Sequence, residues 1–503
     1  MIGLPRPYLL LALFACCGGP SGGGPSGGSP DAAGAGDAAV PAARCDRPAL
    51  SDVSSPTAVV GDGTPASCTA AALQQAATGG GTIVFHCGAA PVTITVSSQI
   101  TFTRDTVLDG GGMVTLSGGG SSRILLLDSA YDTPTPRLVV QRLTFRDGKS
   151  PATGADTAQG GAAIYRDGGS LTVLDSVFDG NHAPATGQDV AGGAIYGFGG
   201  GDTLVAGSTF TGNTASDGGA IGSLNSGLTV IDSVFTGNAA TGTGGNPGNG
   251  GAGGALYMDG GHEATSLCGL TIQNNTAGAI GGGVFRVSND HTGSLAMDRS
   301  TVDSNRVTAT GSGNAGGLYL EGLALTITAS TISRNQAFFN GGIWINTAGV
   351  DMTNTTIAEN VATGSNGGGM WLGHTPTGTL RNCTIASNRA TAANQIAGAI
   401  FGDGLALVNT IVAGNTAMFT PGCDVARAAS TGDLQWPGGA LCTAAPLIAD
   451  PMLGALGDHG GGEETLVPAA ASPARGIAHD CPPTDQRGHP RPDPCTAGAA
   501  EPD

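Results

Sequence analysis

Apolar positions between Leu171 and Ala417 recur with a period that fits neither a helix nor a lone strand. Counted back from a repeated asparagine (Asn181, Asn213, Asn238, Asn275, Asn305, Asn335, Asn360, Asn388, Asn415), the third position is apolar in every copy, from Phe178, Phe210 and Phe235 to Ile385 and Val412. The eighth position back is apolar as well, from Val173 to Leu407, while the fifth is mostly Ser, Thr or Cys. The 234 residues from Asn181 to Asn415 hold eight steps of about 29 each. That is the period of a solenoid, not of a globular core.

Side chains alternate along a strand, so positions −3 and −5 share one face, and −8 and −10 share another. The odd offset between −5 and −8 predicts a bend, at pairs such as Asp175-Ser176 and Asp232-Ser233. A third strand lies upstream, after paired glycines: Gly192-Gly193-Ala194-Ile195-Tyr196, Gly253-Gly254-Ala255-Leu256-Tyr257 and Gly341-Gly342-Ile343-Trp344. Three short strands per turn, with corners of Gly, Asn, Asp and Ser, predict an all-β parallel β-helix. About ten rungs at ~4.8 Å make a rod of roughly 50 Å. Asparagine tolerates left-handed backbone at a corner, and its amide can bond the copies above and below. The asparagines are therefore expected as a structural ladder and not as glycan contacts.

Tyr165, Tyr196, Tyr257, Phe285, Tyr319, Trp344, Trp371 and Phe401 follow the Gly pairs. If Ile195, Leu256, Leu318 and Ile343 point inward, alternation turns these rings outward. The result is either an exposed stripe for sugar rings or a packing layer under loops. Tyr196, Tyr257, Tyr319, Trp344 and Trp371 are the candidate ligand-binding residues. The longest insertion, Ala239 to Asn249, belongs to the class of loops that gather on one face of a solenoid.

The coupled Gly-Gly-Ala-Ile/Leu and Phe-x-x-Asn motifs over residues 160–415 resemble the repeats of chlamydial polymorphic outer membrane proteins, which are surface adhesins with a β-helical passenger. Residues 68–120, with Cys68-Thr-Ala-Ala-Ala-Leu73, Gly79-Gly-Gly-Thr-Ile-Val-Phe85 and Leu108-Asp-Gly-Gly-Gly112, are similar to the opening of bacterial pectate-lyase-like right-handed β-helix proteins. That resemblance implies a short helix capping the first rung and a right-handed solenoid, the hand that parallel crossovers prefer. Residues 449–501, with Ala449-Asp-Pro-Met-Leu-Gly454 and Cys481-Pro-Pro-Thr-Asp-Gln-Arg-Gly488, resemble the choice-of-anchor Q module that follows β-helices in surface proteins. His459, Arg475 and Thr496-Ala497 depart from that module's usual residues.

Composition narrows the partners. With 38 acidic against 20 basic residues the formal charge is −18, which disfavours nucleic acid. Arg6, the apolar run Tyr8 to Ala15 and Cys16-Cys17 read as an export signal, too short to span a membrane. Leu13-Phe14-Ala15-Cys16 resembles a lipobox, which implies lipidation at Cys16 and membrane attachment through an N-terminal lipid anchor. The expected organisation is a signal peptide over 1–15, a Gly/Ser/Pro tether over 16–44, an N-terminal cap with first rungs over 45–120, helix repeats over 121–417 and a disulfide-bearing C-terminal cap over 418–503.

Eleven cysteines in an exported chain imply disulfides. Spacing pairs Cys68 with Cys87, Cys423 with Cys442 and Cys481 with Cys495 and leaves Cys45 without an evident mate; Cys268 and Cys383 fall inside rungs, and the place of Cys383 in the small-residue ladder makes it a free buried thiol. No Cys-x-x-Cys lies near paired histidines, so zinc is not expected. No cofactor is expected either, and no motif supports calcium.

Glycoside cleavage needs two carboxylates at a set separation, and the rungs show no such cluster. Asp290-His291 and Asp458-His459 are the nearest acid/base pairs, each in a turn-forming context. Arg146-Asp147-Gly148-Lys149 falls at a rung corner. No catalytic residue is assigned. The expected protein is an exported, lipid-anchored, monomeric bacterial surface protein that binds polysaccharide or a host or neighbouring cell surface. A polysaccharide lyase or glycoside hydrolase, or a purely structural envelope component, are the alternatives.

Overall fold

The computed structural model describes residues 45–428 and 431–503, and there the chain is a right-handed parallel β-helix. The expected signal peptide, the tether and Cys16 lie outside the described residues. One turn illustrates the rest: Ile195–Phe198 lies on the first face, Thr203–Ala206 on the second and Thr209–Thr211 on the third. A fourth strand of two residues, Thr214–Ala215, follows the asparagine. Two residues are too few to leave an apolar pattern, so seven turns carry four strands where three were predicted. Strands pair in parallel in the register of the sequence columns, with Phe178 opposite Phe210 and Phe210 opposite Phe235. The first face holds 11 strands, from Ile100–Phe102 to Ile400–Phe401.

Inside, like residues stack. The rings of Phe145, Phe178, Phe210 and Phe235 lie 4.6–5.0 Å apart, tilted by 9° or less. The asparagines are buried, and each Nδ2 donates to the Oδ1 of the next at 2.9–3.0 Å. That Oδ1 also accepts the backbone N–H of the preceding asparagine, as Asn213 Oδ1 does from Asn181. The second Nδ2 hydrogen goes to a carbonyl of the turn before, as from Asn213 to Phe178. A buried amide is tolerable when its polar atoms are all paired. The left-handed backbone expected at the asparagines belongs instead to the residue before each one, among them Asn274, Ser304, Arg334 and Glu359. A second left-handed corner falls at the predicted bend, at Asp175, Asp232, Arg299, Asn354 and Asn382. There the small-residue column forms its own ladder, with Ser176 N–H bonding Ser208 Oγ and Ser208 N–H bonding Ser233 Oγ at 3.1 Å.

Helix α1 (Ala70–Gly79) closes the N-terminal end, capped by the Thr69 hydroxyl and burying Leu73 and Ala77. Residues ahead of it run along the rod as a strap. Ser51 exchanges hydrogen bonds with Gln141, Arg47 pairs with Asp175 and Asp232, and Cys45 is disulfide-bonded to Cys268. This supplies the mate that spacing did not reveal for Cys45. The other three disulfides follow the expected pairs, and Cys383 is free and buried, its thiol pushed up to about 12 by burial.

At the C-terminal end, residues 418–428 and 431–448 complete the last turns around Cys423–Cys442. Residues 449–503 then bed against the side of the rod rather than its end. Leu466 packs on Ala358 and Ala386, and Ala474, Ala478 and Ala497 pack on Ile411, Ala413 and Leu434. Gln486 is the central link: its Nε2 donates to Thr331 Oγ1 at 2.8 Å, and its Oε1 accepts from Thr356 and Thr465. The third face makes room for this. Its outward position is Asp179, Thr211, Thr236, Gln273 and Asp303 in the earlier turns, then Ser333, Ala358, Ala386 and Ala413 under this C-terminal strap of residues 449–503.

Candidate functional site

The aromatic stripe exists, but half of it is closed. Tyr196 and Tyr257 are fully buried and Phe285 nearly so, which corrects the expectation that Tyr196 and Tyr257 face outward to a ligand. Loops cover them. From the insertion, Asn246 Nδ2 donates to the Tyr257 hydroxyl at 2.8 Å and to Asp259 at 2.7 Å, and the Tyr257 hydroxyl also lies 3.3 Å from Asp189. Burial raises the Asp189 carboxyl, helped by Asp259, and pushes Asp217 beneath the same loop up to about 8. Tyr319, Trp344 and Trp371 remain half-buried. Their rings stack on one another, 5.9 Å and 5.2 Å between centroids at 3° and 30°. Each ring face is thus largely taken by its neighbour, and the stripe offers edges where sugar stacking needs faces.

The acid/base pairs weighed in the sequence serve turns. Asp290 accepts the Thr292 N–H and hydroxyl and the Ser288 hydroxyl, bonds that hold its carboxyl low, with His291 left-handed beside it. Asp458 accepts the N–H groups of Gly460 and Gly462. Arg146 pairs with Asp147 at 3.2 Å on an exposed corner.

A groove of about 750 Å³ opens elsewhere, where the first face turns into the second. Tyr131 and Asp132 form one wall, His262 and Glu263 the other, and Asp202, Asn225, Ser226, Gly227 and Thr229 the floor. Tyr131 is 39% exposed, with its ring 4.8 Å from Phe198 and resting on Gly199, where a Cβ would strike it. The floor is low because its turns are short. From the first-face core residue to the second-face one, Ile221 to Val230 is nine residues, against eleven for Leu256 to Leu267 and thirteen for Val284 to Met297.

Two buried arginines hold this corner. Arg166 Nη1 donates to the carbonyls of Gly169 and Gly199 at 2.9 and 2.6 Å and of Gly168 at 3.3 Å; its Nε bonds Thr203 and its Nη2 the Ser226 hydroxyl. Gly197, one turn on, leaves the space its guanidinium fills. Arg286 donates to the carbonyls of Glu263 and Val287. Burial lowers both arginines, and nearby carboxylates (Asp202 for Arg166, Glu263 for Arg286) oppose the shift. Glu263 Oε2 is enclosed without a hydrogen-bond donor among the described residues. Among those residues, no three His, Cys, Asp or Glu side chains are grouped to hold a metal ion.

The chain matches no protein-family model, and no curated protein is significantly similar to it in sequence. Its architecture is similar to PfbA, a surface adhesin of Streptococcus pneumoniae, at 12% identity over 67% of this chain and 86% of that one, with a TM-score of 0.39. It is similar to the periplasmic alginate epimerase AlgG at 10% identity over 71% and 75%, with a TM-score of 0.35. It is also similar to pectate lyase Pel9A at 14% over 84% and 88%, with a TM-score of 0.33. These likenesses concern the solenoid alone.

Proposed function

We propose that this is an exported surface protein that binds a glycan in the groove between Tyr131 and Glu263. The carrying observation is the groove itself: a depression walled by side chains from separate turns, its floor clamped from below by Arg166. One exposed aromatic ring and several polar groups converging in a concavity suit a sugar ligand. The apolar run before Cys16 and the four disulfides support an oxidising, extracytoplasmic setting.

Tyr131→Ala, and separately Ser266→Trp to fill the groove, should abolish capture on a glycan array while leaving the melting temperature within a few degrees of the parent. Capture that survives both substitutions overturns the assignment to the groove. A second reading, glycoside hydrolysis, is favoured by the meeting of Asp132, Asp202 and Glu263 in one cleft. Release of new reducing ends from a captured polysaccharide, lost in Glu263→Gln, distinguishes it from binding alone.

A further inference from the structure

The charge pattern of the groove names a class of ligand. Among the described residues lining it are three carboxylates, Asp132, Asp202 and Glu263, no lysine and no arginine, with His262 the one group able to gain positive charge. The two arginines nearby are not available to an anion, since Arg166 and Arg286 lie under the surface, Arg166 with its donors on carbonyls and hydroxyls and Arg286 with both Nη atoms on carbonyls. Glu263 Oε2 is enclosed without a hydrogen-bond donor among the described residues, and the Arg286 charge that its carboxylate feels lies beneath the surface, with its Nη atoms bonded to backbone carbonyls. The chain around the groove reinforces this sign, at −18 overall.

On the reading that the groove binds a glycan, we infer that its ligand is an amine-bearing polysaccharide, whose ammonium groups meet Asp202 and Glu263. A polyuronate would bring carboxylates against three like charges with no accessible cation to answer them, and like-charge juxtaposition in an interface is repelled strongly. The preference is thus for the sign opposite to that of alginate or pectate. The exposed Tyr131 ring adds to it, since an aromatic face attracts a cation.

The test is calorimetric titration of the intact chain with four hexamers: glucosamine, N-acetylglucosamine, galacturonate and mannuronate. Glucosamine hexamer should bind, and should weaken about tenfold or more as salt rises from 0.02 M to 0.5 M, because screening shortens the reach of exposed charges. Asp202→Asn combined with Glu263→Gln should weaken it by about tenfold, while the charge-free N-acetylglucosamine hexamer, the weaker ligand of the parent, should be little affected. Equal or tighter binding of N-acetylglucosamine, or binding of either uronate, overturns the inference while leaving glycan binding intact. Silence of all four hexamers, together with a blank array, removes the glycan reading itself. Matching melting curves for the double variant and the parent secure the comparison.

Discussion

Replacing Asn305 by alanine tests the ladder that sets the height of every rung. In the parent, Asn305 Oδ1 accepts both the N–H and the Nδ2 of Asn275 at 3.0 Å, and its Nδ2 donates to Ile272 O at 2.9 Å and Asn335 Oδ1 at 3.0 Å. Alanine removes four hydrogen bonds, but the partners suffer unequally. Asn275 Nδ2 keeps Phe235 O and Gln273 O, and Asn335 Oδ1 keeps the Asn305 N–H. The group left wanting is the buried Asn275 N–H, since the Ile272 carbonyl still faces the Asp303 N–H in the parallel pairing of Gln273 with Asp303. An orphaned buried group costs about 1–3 kcal/mol, so the substitution should destabilise by roughly 1–3 kcal/mol. Turns of a solenoid feel mainly their neighbours, so the loss should be local. Amide exchange at Asn275 should quicken at least tenfold, equivalent to about 1.4 kcal/mol, while turns near Phe145 stay protected. Asn305→Asp keeps the acceptor but sets a carboxylate oxygen against Ile272 O, and should be at least as damaging. Unchanged exchange at Asn275 together with an unchanged denaturation midpoint in the alanine variant would refute the reasoning.

Two further outcomes follow from buried groups. Asp217 sits near 3.8 when unfolded and about 8 when folded, so between these values the folded state holds a proton that the unfolded state has released. Stability therefore falls as pH rises from about 4 to about 8 and then levels off; Asp217→Asn should flatten this slope in denaturation curves taken across that range, and an identical slope would count against it. Trp344→Ala with Trp371→Ala removes rings whose faces are already occupied, so it should lower stability by about 2–4 kcal/mol per site and leave glycan capture unchanged. Lost capture at constant melting temperature would move the site from the groove to the stripe.

What could be read from the chain beforehand divides along a physical line. A residue that stacks on its own copy every turn must be of one type every turn, so Phe178, Phe210 and Phe235, or Asn181 and its eight successors, announce the core and its register. Contacts made once leave no column. Thr214–Ala215 is too short for a pattern, Cys45 meets Cys268 across 223 residues, and Tyr196 and Tyr257 differ from Trp344 only through the loops lying over them. Two weaker signals were present. The change from Asp303 to Ser333, Ala358 and Ala386 on the third face marks where the C-terminal strap lies, and the spacings of nine, eleven and thirteen residues mark the floor and wall of the groove.

The bond between Cys45 and Cys268 also fixes how the molecule would bear load. Any pull arriving through the residues before Cys45 enters the rod at the turn holding Cys268, not at the helix over its first rung. Tension from a ligand held between Tyr131 and Glu263 would reach that cross-link through stacked turns alone. The covalent link places α1 and the first strands outside the path of force. A shear that would peel an ordinary solenoid from its terminus would here be carried by a sulfur–sulfur bond and the laterally bonded turns beside it, so the first turns are spared.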